Sequence, residues 1–343
     1  LRRQRQMCIR DSFDDRARIV ESDMTPTAFT DYLYFTNRTA GGGGEPWFYT
    51  GETVDGPVHF DCEIAIWGDP VFTDVVETSA STILYGNDGV PVQLPTTSNL
   101  PHDEPVFEGG VHFGASEMDW IQQSSRQTLA NAADITLNGN HEIIFGRDPG
   151  TGPMIGYVSY RKQSKPWTDV RISDFNGIIY ANGNLEVSGV VDGQVTVVSN
   201  GQVDIVDDLV CYDSGAEGPN PDCDDLIGIV AGSKLLVTDN AANRSDCEIH
   251  AYLVGIANNA CLVDRHTQGS PRGMLTLYGG IAQDKWGPVG TGYVDGDGNY
   301  VVSTGYERDF HYDWRLRDEL PPGLELILFD GGGYRRLAWR EVR

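Results

Sequence analysis

The residues best suited to chemistry in this chain are carboxylates. Asp295, Asp297 and Asn299 follow the D-x-D-x-N spacing that opens an EF-hand calcium loop. The twelfth position, which should be acidic, is Tyr306, and the flanking text is strand-like rather than helical, so a polar hairpin turn is the better reading. A second acidic group, Asp207, Asp208, Asp213, Glu217, Asp222, Asp224 and Asp225, surrounds the Gly/Pro-rich loop between Cys211 and Cys223. Calcium asks for about six to eight oxygens around one point, and this loop offers several, although solvated carboxylates are the plainer account. Asp204, Asp207 and Asp208 suit acid/base cleavage of a polysaccharide only if they share a face. Adjacent strand residues point to opposite faces, which separates Asp207 from Asp208. His59 and His112 sit in matching contexts, Pro-Val-His-Phe and Gly-Val-His-Phe, and cross-strand packing accounts for them better than a metal does. Trp67, Trp120, Trp167, Trp286, Trp314 and Trp339 offer rings for stacking on sugars, with core packing the commoner use. No G-x-S-x-G, P-loop or H-E-x-x-H pattern occurs, and Gly41–Gly44 lacks the lysine of a phosphate cradle. No catalytic residue is therefore assigned, and calcium is the one cofactor the patterns admit.

Cysteines add a possible framework. Cys211 with Cys223, and Cys247 with Cys261, are plausible disulfides, while Cys62 stands alone and Cys8 lies in an atypical N-terminal string. None shows the C-x-x-C spacing of a zinc site, and the pattern favours an oxidising, extracytoplasmic setting. The chain of 343 residues carries a net charge of −25 and four lysines, Lys162, Lys165, Lys234 and Lys285. That balance excludes nucleic acid as a partner. No apolar run is long enough to span a bilayer, so a membrane anchor is absent from this sequence. Leu1–Ser12, LRRQRQMCIRDS, carries +3, leaving −28 for the rest, and reads as adapter-derived read-through of the kind seen in metagenomic reading frames.

The elements that must position these groups are mostly strands. Asn182-Gly183-Asn184-Leu185-Glu186-Val187, Asp192-Gly193-Gln194-Val195-Thr196-Val197 and Asn200-Gly201-Gln202-Val203-Asp204-Ile205 are near-repeats, with an echo at Gly232–Val237. Each is a glycine turn followed by alternating apolar residues, and stacked units bury a core that none buries alone. The expected fold is mainly β: a β-helix (solenoid) with an N-terminal helix and an additional β region. The expected divisions are residues 1–12 as artefact, 13–40 as an N-terminal helical segment, and 45–170 as a mixed β region with one helix, Glu117–Ala132, capped by Ser116. Residues 171–323 form the β-helix domain with Tyr306–Trp314 as its cap, and 324–343 a C-terminal strand pair. Asn138-Gly139-Asn140 reads as a hairpin turn between Ile135–Leu137 and His141–Phe145.

Several stretches carry a family resemblance. They are Asp31–Asn37 (DYLYFTN), Asp55–His59 (DGPVH), Ile66–Phe72 (IWGDPVF) and Pro105–Val111 (PVFEGGV). Further on come Leu275–Ile281 (LTLYGGI) with Gln283, Gly287–Gly290 (GPVG), Tyr306, Tyr312–Leu316 (YDWRL) and Pro321-Pro322. Together they resemble a bacterial family of unknown function in which a pilin-like leader helix precedes an extracytoplasmic, β-rich passenger. The resemblance implies a right-handed parallel β-helix in the second half and a place at the cell envelope, and it implies no catalytic residues. The expected role is a non-catalytic structural or adhesive module, pilus- or secretion-associated, with pilus or envelope proteins or surface polysaccharide as partners. The alternatives are a secreted polysaccharide lyase or hydrolase on the same fold, and a calcium-dependent carbohydrate-binding module.

Overall fold

The computed structural model describes residues 4–9, 18–26, 28–38, 46–86, 92–98, 100, 104–118, 120–121, 123–147, 155–215, 217–256, 261–296, 299–327 and 334–342. Strands dominate these residues, and they are organised by three parallel ladders. The long ladder has ten strands in the order Ile135–Asn138, Ile178–Asn182, Gln194–Ser199, Leu226–Ala231, Cys247–Gly255, Pro271–Lys285, Tyr34–Arg38, Val58–Phe60, Val76–Thr78 and Val111–Phe113. Its register aligns Ile135, Ile179, Val197, Ile229, Leu253, Ile281, Tyr34, Val58, Val76 and Val111 in one row. From Ile179 to Val76 every member of that row is buried. β-branched and aromatic side chains stack well on a pleated surface, and each fully buried one contributes about 1.5–3 kcal/mol.

A second ladder joins His141–Phe145, Leu185–Val191, Val203–Cys211, Leu235–Val237 and Cys261–Val263. A third aligns Leu209, Ile249, Leu277, Phe310, Val54, Phe72 and Phe107. Buried residues of all three ladders belong to one hydrophobic cluster. The near-repeats divide between ladders: Leu185–Val187, Val203–Ile205 and Leu235–Val237 stack on the second, whereas Val195–Val197 lies in the long one.

The order of strands differs from the order of the chain. Residues 34–113 extend the ladders beyond Pro271–Lys285, and the chain then returns to begin again at Ile135. The returning segment runs along the outside of the long ladder as a strap. Met118 N–H bonds Asp61 (3.1 Å), Trp120 Nε1 bonds the Ile256 carbonyl (2.9 Å), and Asn176 Nδ2 bonds the Ala132 carbonyl (2.6 Å). Trp120 also stacks on Phe35 with 5.8 Å between centroids. On the face the strap follows, Val198, Val230, Val254, Ala282, Phe35 and His59 are buried, so the middle of the ladder is covered on both faces, as parallel sheets generally are.

Several expectations need correction. Residues 13–40 hold no N-terminal helix among the described positions: Arg18–Pro26 is a strand paired antiparallel with Tyr334–Val342, Phe29–Asp31 is a 3₁₀ turn, and Tyr34–Arg38 is a ladder strand. Tyr34 packs inward while Phe35 meets Trp120, so alternate aromatics fill opposite faces, which a helix would not permit. The helix expected over Glu117–Ala132 is confined to Gln123–Ala132, since Met118 and Trp120 are committed to ladder contacts. No boundary falls near residue 170, because Ile135–Asn138 and His141–Phe145 pair directly with Ile178–Asn182 and Leu185–Val191. Tyr306–Trp314 is not a cap; Tyr300–Tyr312 is an internal strand of the third ladder. Leu324–Ile327 is a 3₁₀ turn rather than a strand, and Tyr334–Val342 finds its partner at Arg18–Pro26.

Asn138-Gly139-Asn140 is likewise a corner between two ladders, not a hairpin. The corresponding corner Asn182-Gly183-Asn184 stacks on it, with Asn184 N–H donating to Asn140 Oδ1 (2.9 Å) and Gln202 N–H to Asn184 Oδ1 (3.0 Å). A Cβ on Gly183 would lie 2.4 Å from the Gly139 carbonyl carbon, so the corners approach too closely for any side chain.

Candidate functional site

The structure separates most residues that sequence spacing grouped. Asp295 and Asn299 close a hairpin, with Asp295 N–H bonded to the Asn299 carbonyl (2.9 Å) and Asn299 N–H to Asp295 Oδ1 (2.9 Å); Asp297 lies outside the described residues. Asp204 stands on the second ladder beside Glu186, whereas Asp207 and Asp208 occupy the irregular corner before Leu209. Asp208 is spent on Glu248 N–H (2.8 Å), so the three acids form no shared groove.

Cys211, Cys223 and Asp225 do come together, with their ligand atoms within 4.8 Å of one another and all three residues buried. Both Asp225 oxygens already accept N–H groups, from Gly193 (2.5 Å) and Asp213 (3.1 Å), and Arg315 donates to the Cys223 and Asp225 carbonyls (2.9 and 3.0 Å). Engaged oxygens and an adjacent guanidinium suit neutral thiols better than a cation. Burial pushes the Cys211 thiol up to about 12. The described cysteines are free thiols, and Cys247 and Cys261 lie on different ladders, beside Leu275 and Leu235 respectively.

The two histidines align with Glu77 between them: His59, Glu77 and His112 are successive register partners in the long ladder. His59 is buried, with Nδ1 3.0 Å from Glu77 and Nε2 2.8 Å from Asp61, and His112 Nδ1 is 3.7 Å from the other Glu77 oxygen. Tyr32 adds an O–H bond to Glu77 (2.7 Å). Burial works against the imidazolium, but hydrogen bonds and charge from Asp61 and Glu77 outweigh it and push His59 up to about 9. Both His59 ring nitrogens are occupied, so this is an ion row running from buried His59 to exposed His112 rather than a metal site.

The tryptophans are mostly structural. Trp167 lies beneath the guanidinium groups of Arg147 and Arg161 (5.1 and 4.2 Å), Trp286 packs among Tyr34, Phe48 and Phe60, and Trp67 meets Trp47. Trp314 is 45% exposed under Arg317, and the Trp339 side chain lies outside the described residues.

A further cleft, a slot of about 470 Å³, is lined by Trp47, Tyr49, Glu52, Trp286, Tyr300 and Arg308, among others. It marks an interruption between sheets. Val263 N–H bonds the Pro288 carbonyl (3.2 Å), but beyond Pro288 no ladder pairing among the described residues reaches Trp47–Tyr49, which belongs to a separate small sheet with Ala65–Trp67, Ile83–Tyr85 and Val92–Leu94. The free edge of Trp47–Tyr49 is closed by side chains instead. Glu52 accepts Tyr49 N–H (3.2 Å), and Arg308 donates to the Trp47 carbonyl (2.7 Å) while pairing with both Glu52 oxygens (2.5 and 2.7 Å). Tyr49 and Tyr300 stack at 4.0 Å, and burial first, then Tyr300, pushes the Tyr49 phenol up to about 12. The Tyr300 ring passes close to Gly292, where a Cβ would meet it at 2.5 Å. Sequence reasoning passed over Tyr49, Glu52, Tyr300 and Arg308 because no motif joins positions about 250 residues apart; the aromatic run Trp47-Phe48-Tyr49 was the available signal.

Comparison with known proteins gives two findings. A family model described as a domain of unknown function, DUF4900, matches residues 4–81. The competence-associated pilin ComZ from Thermus thermophilus is similar in structure at 10% identity and a TM-score of 0.38, over 99% of this chain and 84% of that one, a likeness that assigns this chain no role. No curated protein matches. Among the described residues, no helix is long and apolar enough to cross a membrane.

Proposed function

We propose that this chain is a non-catalytic, extracytoplasmic structural or adhesive module, and that its ladders are the faces of a right-handed parallel β-helix. The observation that carries this reading is the ten-strand parallel ladder, which draws residues 34–113 and 135–285 into one stack. Such a stack is rigid and presents a long repeated surface, which suits attachment or assembly at a cell envelope, with pilus proteins, other envelope proteins or surface polysaccharide as partners. The acidic balance of −25 keeps that surface soluble, and the salt and divalent cations outside a cell screen its self-repulsion.

The test is co-sedimentation of the labelled chain with intact bacteria bearing type IV pili and with the same cells stripped of them, alongside a reducing-end assay on polygalacturonate and alginate. Saturable binding to cells with no release of reducing ends supports the module. Release of reducing ends, or binding to neither preparation, overturns it.

A further inference from the structure

We propose that the slot between Trp286–Gly290 and Trp47–Tyr49 binds a neutral oligosaccharide, which deepens the adhesive reading and rests on it. Four features of the slot point to this ligand class. First, Trp47, Tyr49, Trp286 and Tyr300 all contribute to its lining, and Trp47, Tyr49 and Tyr300 form a continuous stack with centroids 6.2 and 4.0 Å apart. The flat C–H face of a sugar ring packs against such rings, while its hydroxyls need polar partners beside them. Second, those partners are present: Glu52 and Arg308 are each about nine-tenths buried (12% exposed), and Asn299 stands exposed at the rim.

Third, the lining does not favour an anion. Arg308 and Glu52 form a close pair, and the remaining charged group of the lining, Glu307, leaves a single negative charge that disfavours an anion. An anionic sugar would in addition approach a chain of net charge −25. Fourth, an added peptide strand is disfavoured. The outward Tyr49 N–H and the Trp47 carbonyl, which a strand would have to pair, are already taken by Glu52 and Arg308. At about 470 Å³ the slot falls within the usual size of small-ligand sites, about 300–1,000 Å³.

The slot owes its existence to the order of strands. Residues arriving from the N-terminal part of the chain supply Trp47, Tyr49 and Glu52, and residues from the C-terminal part supply Trp286, Tyr300 and Arg308. The third ladder continues across this junction through Phe310 and Val54, and the long ladder through Ile281 and Tyr34. Among the described residues this side of the stack is left open, and pairing on the two other sides holds the slot.

The experiment titrates the full chain with cellohexaose, chitohexaose, mannohexaose and, as the anionic comparison, hexagalacturonate, reading tryptophan fluorescence and calorimetric heat. Saturable binding of at least one neutral hexasaccharide is expected, with Tyr300→Ala and Trp47→Ala each raising Kd about tenfold or more. Trp314→Ala, an exposed ring outside the slot, should leave Kd unchanged. Thermal melts of each variant separate loss of binding from loss of fold, and Asn299→Ala at the rim supplies a slot variant that removes no packed ring. The proposal is overturned if no neutral hexasaccharide binds, if hexagalacturonate alone binds, or if folded slot variants bind as the parent does. Oligosaccharide binding without attachment to cells would leave the slot standing and remove the adhesive role. Attachment that survives when the slot is shown not to bind sugar would do the reverse.

Discussion

The middle row of the long ladder changes character along its length. In the strands supplied by the C-terminal part of the chain it reads Val198, Val230, Val254, Ala282, all buried and apolar. Across the junction, in the strands supplied by residues 34–113, it becomes Phe35, His59, Glu77, His112. The same backbone pairing is therefore held in one region by aliphatic packing beneath the strap and in the other by an ion row that runs from buried His59 to exposed His112. Aliphatic packing is indifferent to pH and tolerant of small adjustments, whereas an ion row is conditional on protonation and on every partner being present.

The comparison breaks most severely in the aliphatic region. Val230→Asp places an unpaired carboxylate where nothing can bond it, and the loss should exceed about 4 kcal/mol, leaving no cooperative urea transition. The equivalent exposed position, His112→Asp, should cost far less in the same assay, since its side chain is 67% exposed.

Next come the corners. Gly183→Ala drives a methyl into the Gly139 backbone and should cost about 3 kcal/mol, whereas Gly139→Ala meets only the end of the flexible Lys162 side chain at 4.0 Å and bears its left-handed φ of 83°, about 1–2 kcal/mol. Equal losses in chemical unfolding would show that the corners do not stack.

The ion row then gives a pH signature. His59 is raised in the folded state, so its contribution is fully present below the unfolded value near 6.5 and fades as pH rises through about 9. His59→Gln should therefore cost on the order of 2 kcal/mol at pH 6 and little at pH 10, and flatten the fall in stability between them. Parallel curves for parent and variant across that range would contradict the charged row.

The smallest effect is chemical. Burial holds the Cys211 and Cys247 thiols up to about 12 and raises Cys261 as well, so native iodoacetamide treatment should leave these thiols unmodified while denaturant exposes them. Intact-mass measurement reads the difference directly. Rapid native labelling of Cys211 or Cys247 would show that the ladders open there.

The sequence announced the strands better than their partners. Glycine-led, alternating units such as Asn182–Val187 and Asn200–Ile205 announced stacked β structure, and their register follows. What escaped was order: nothing local says that Tyr34–Arg38 pairs with Pro271–Lys285, because parallel pairing is decided by contacts some 250 residues apart. Asn138-Gly139-Asn140 misled for a related reason, since a corner between ladders uses the same residues as a hairpin turn. The aromatic text at Phe29–Phe35 suggested a helix because both of its faces are buried, which erases the alternation that marks a half-exposed strand. The slot was invisible for the same reason as the order, being made where two distant segments meet.

Cross-linking across the junction tests the account most directly. Thr36 and Gln283 are register partners in neighbouring parallel strands, and Thr36 and Ala231 stand on the same ladder with two further strands between. In the pair Thr36→Cys with Gln283→Cys, mild oxidation should give a disulfide-linked peptide in the mass spectrum, whereas Thr36→Cys with Ala231→Cys should give none. Absence of the first link in folded protein, or appearance of the second, would contradict a single stack built from both parts of the chain.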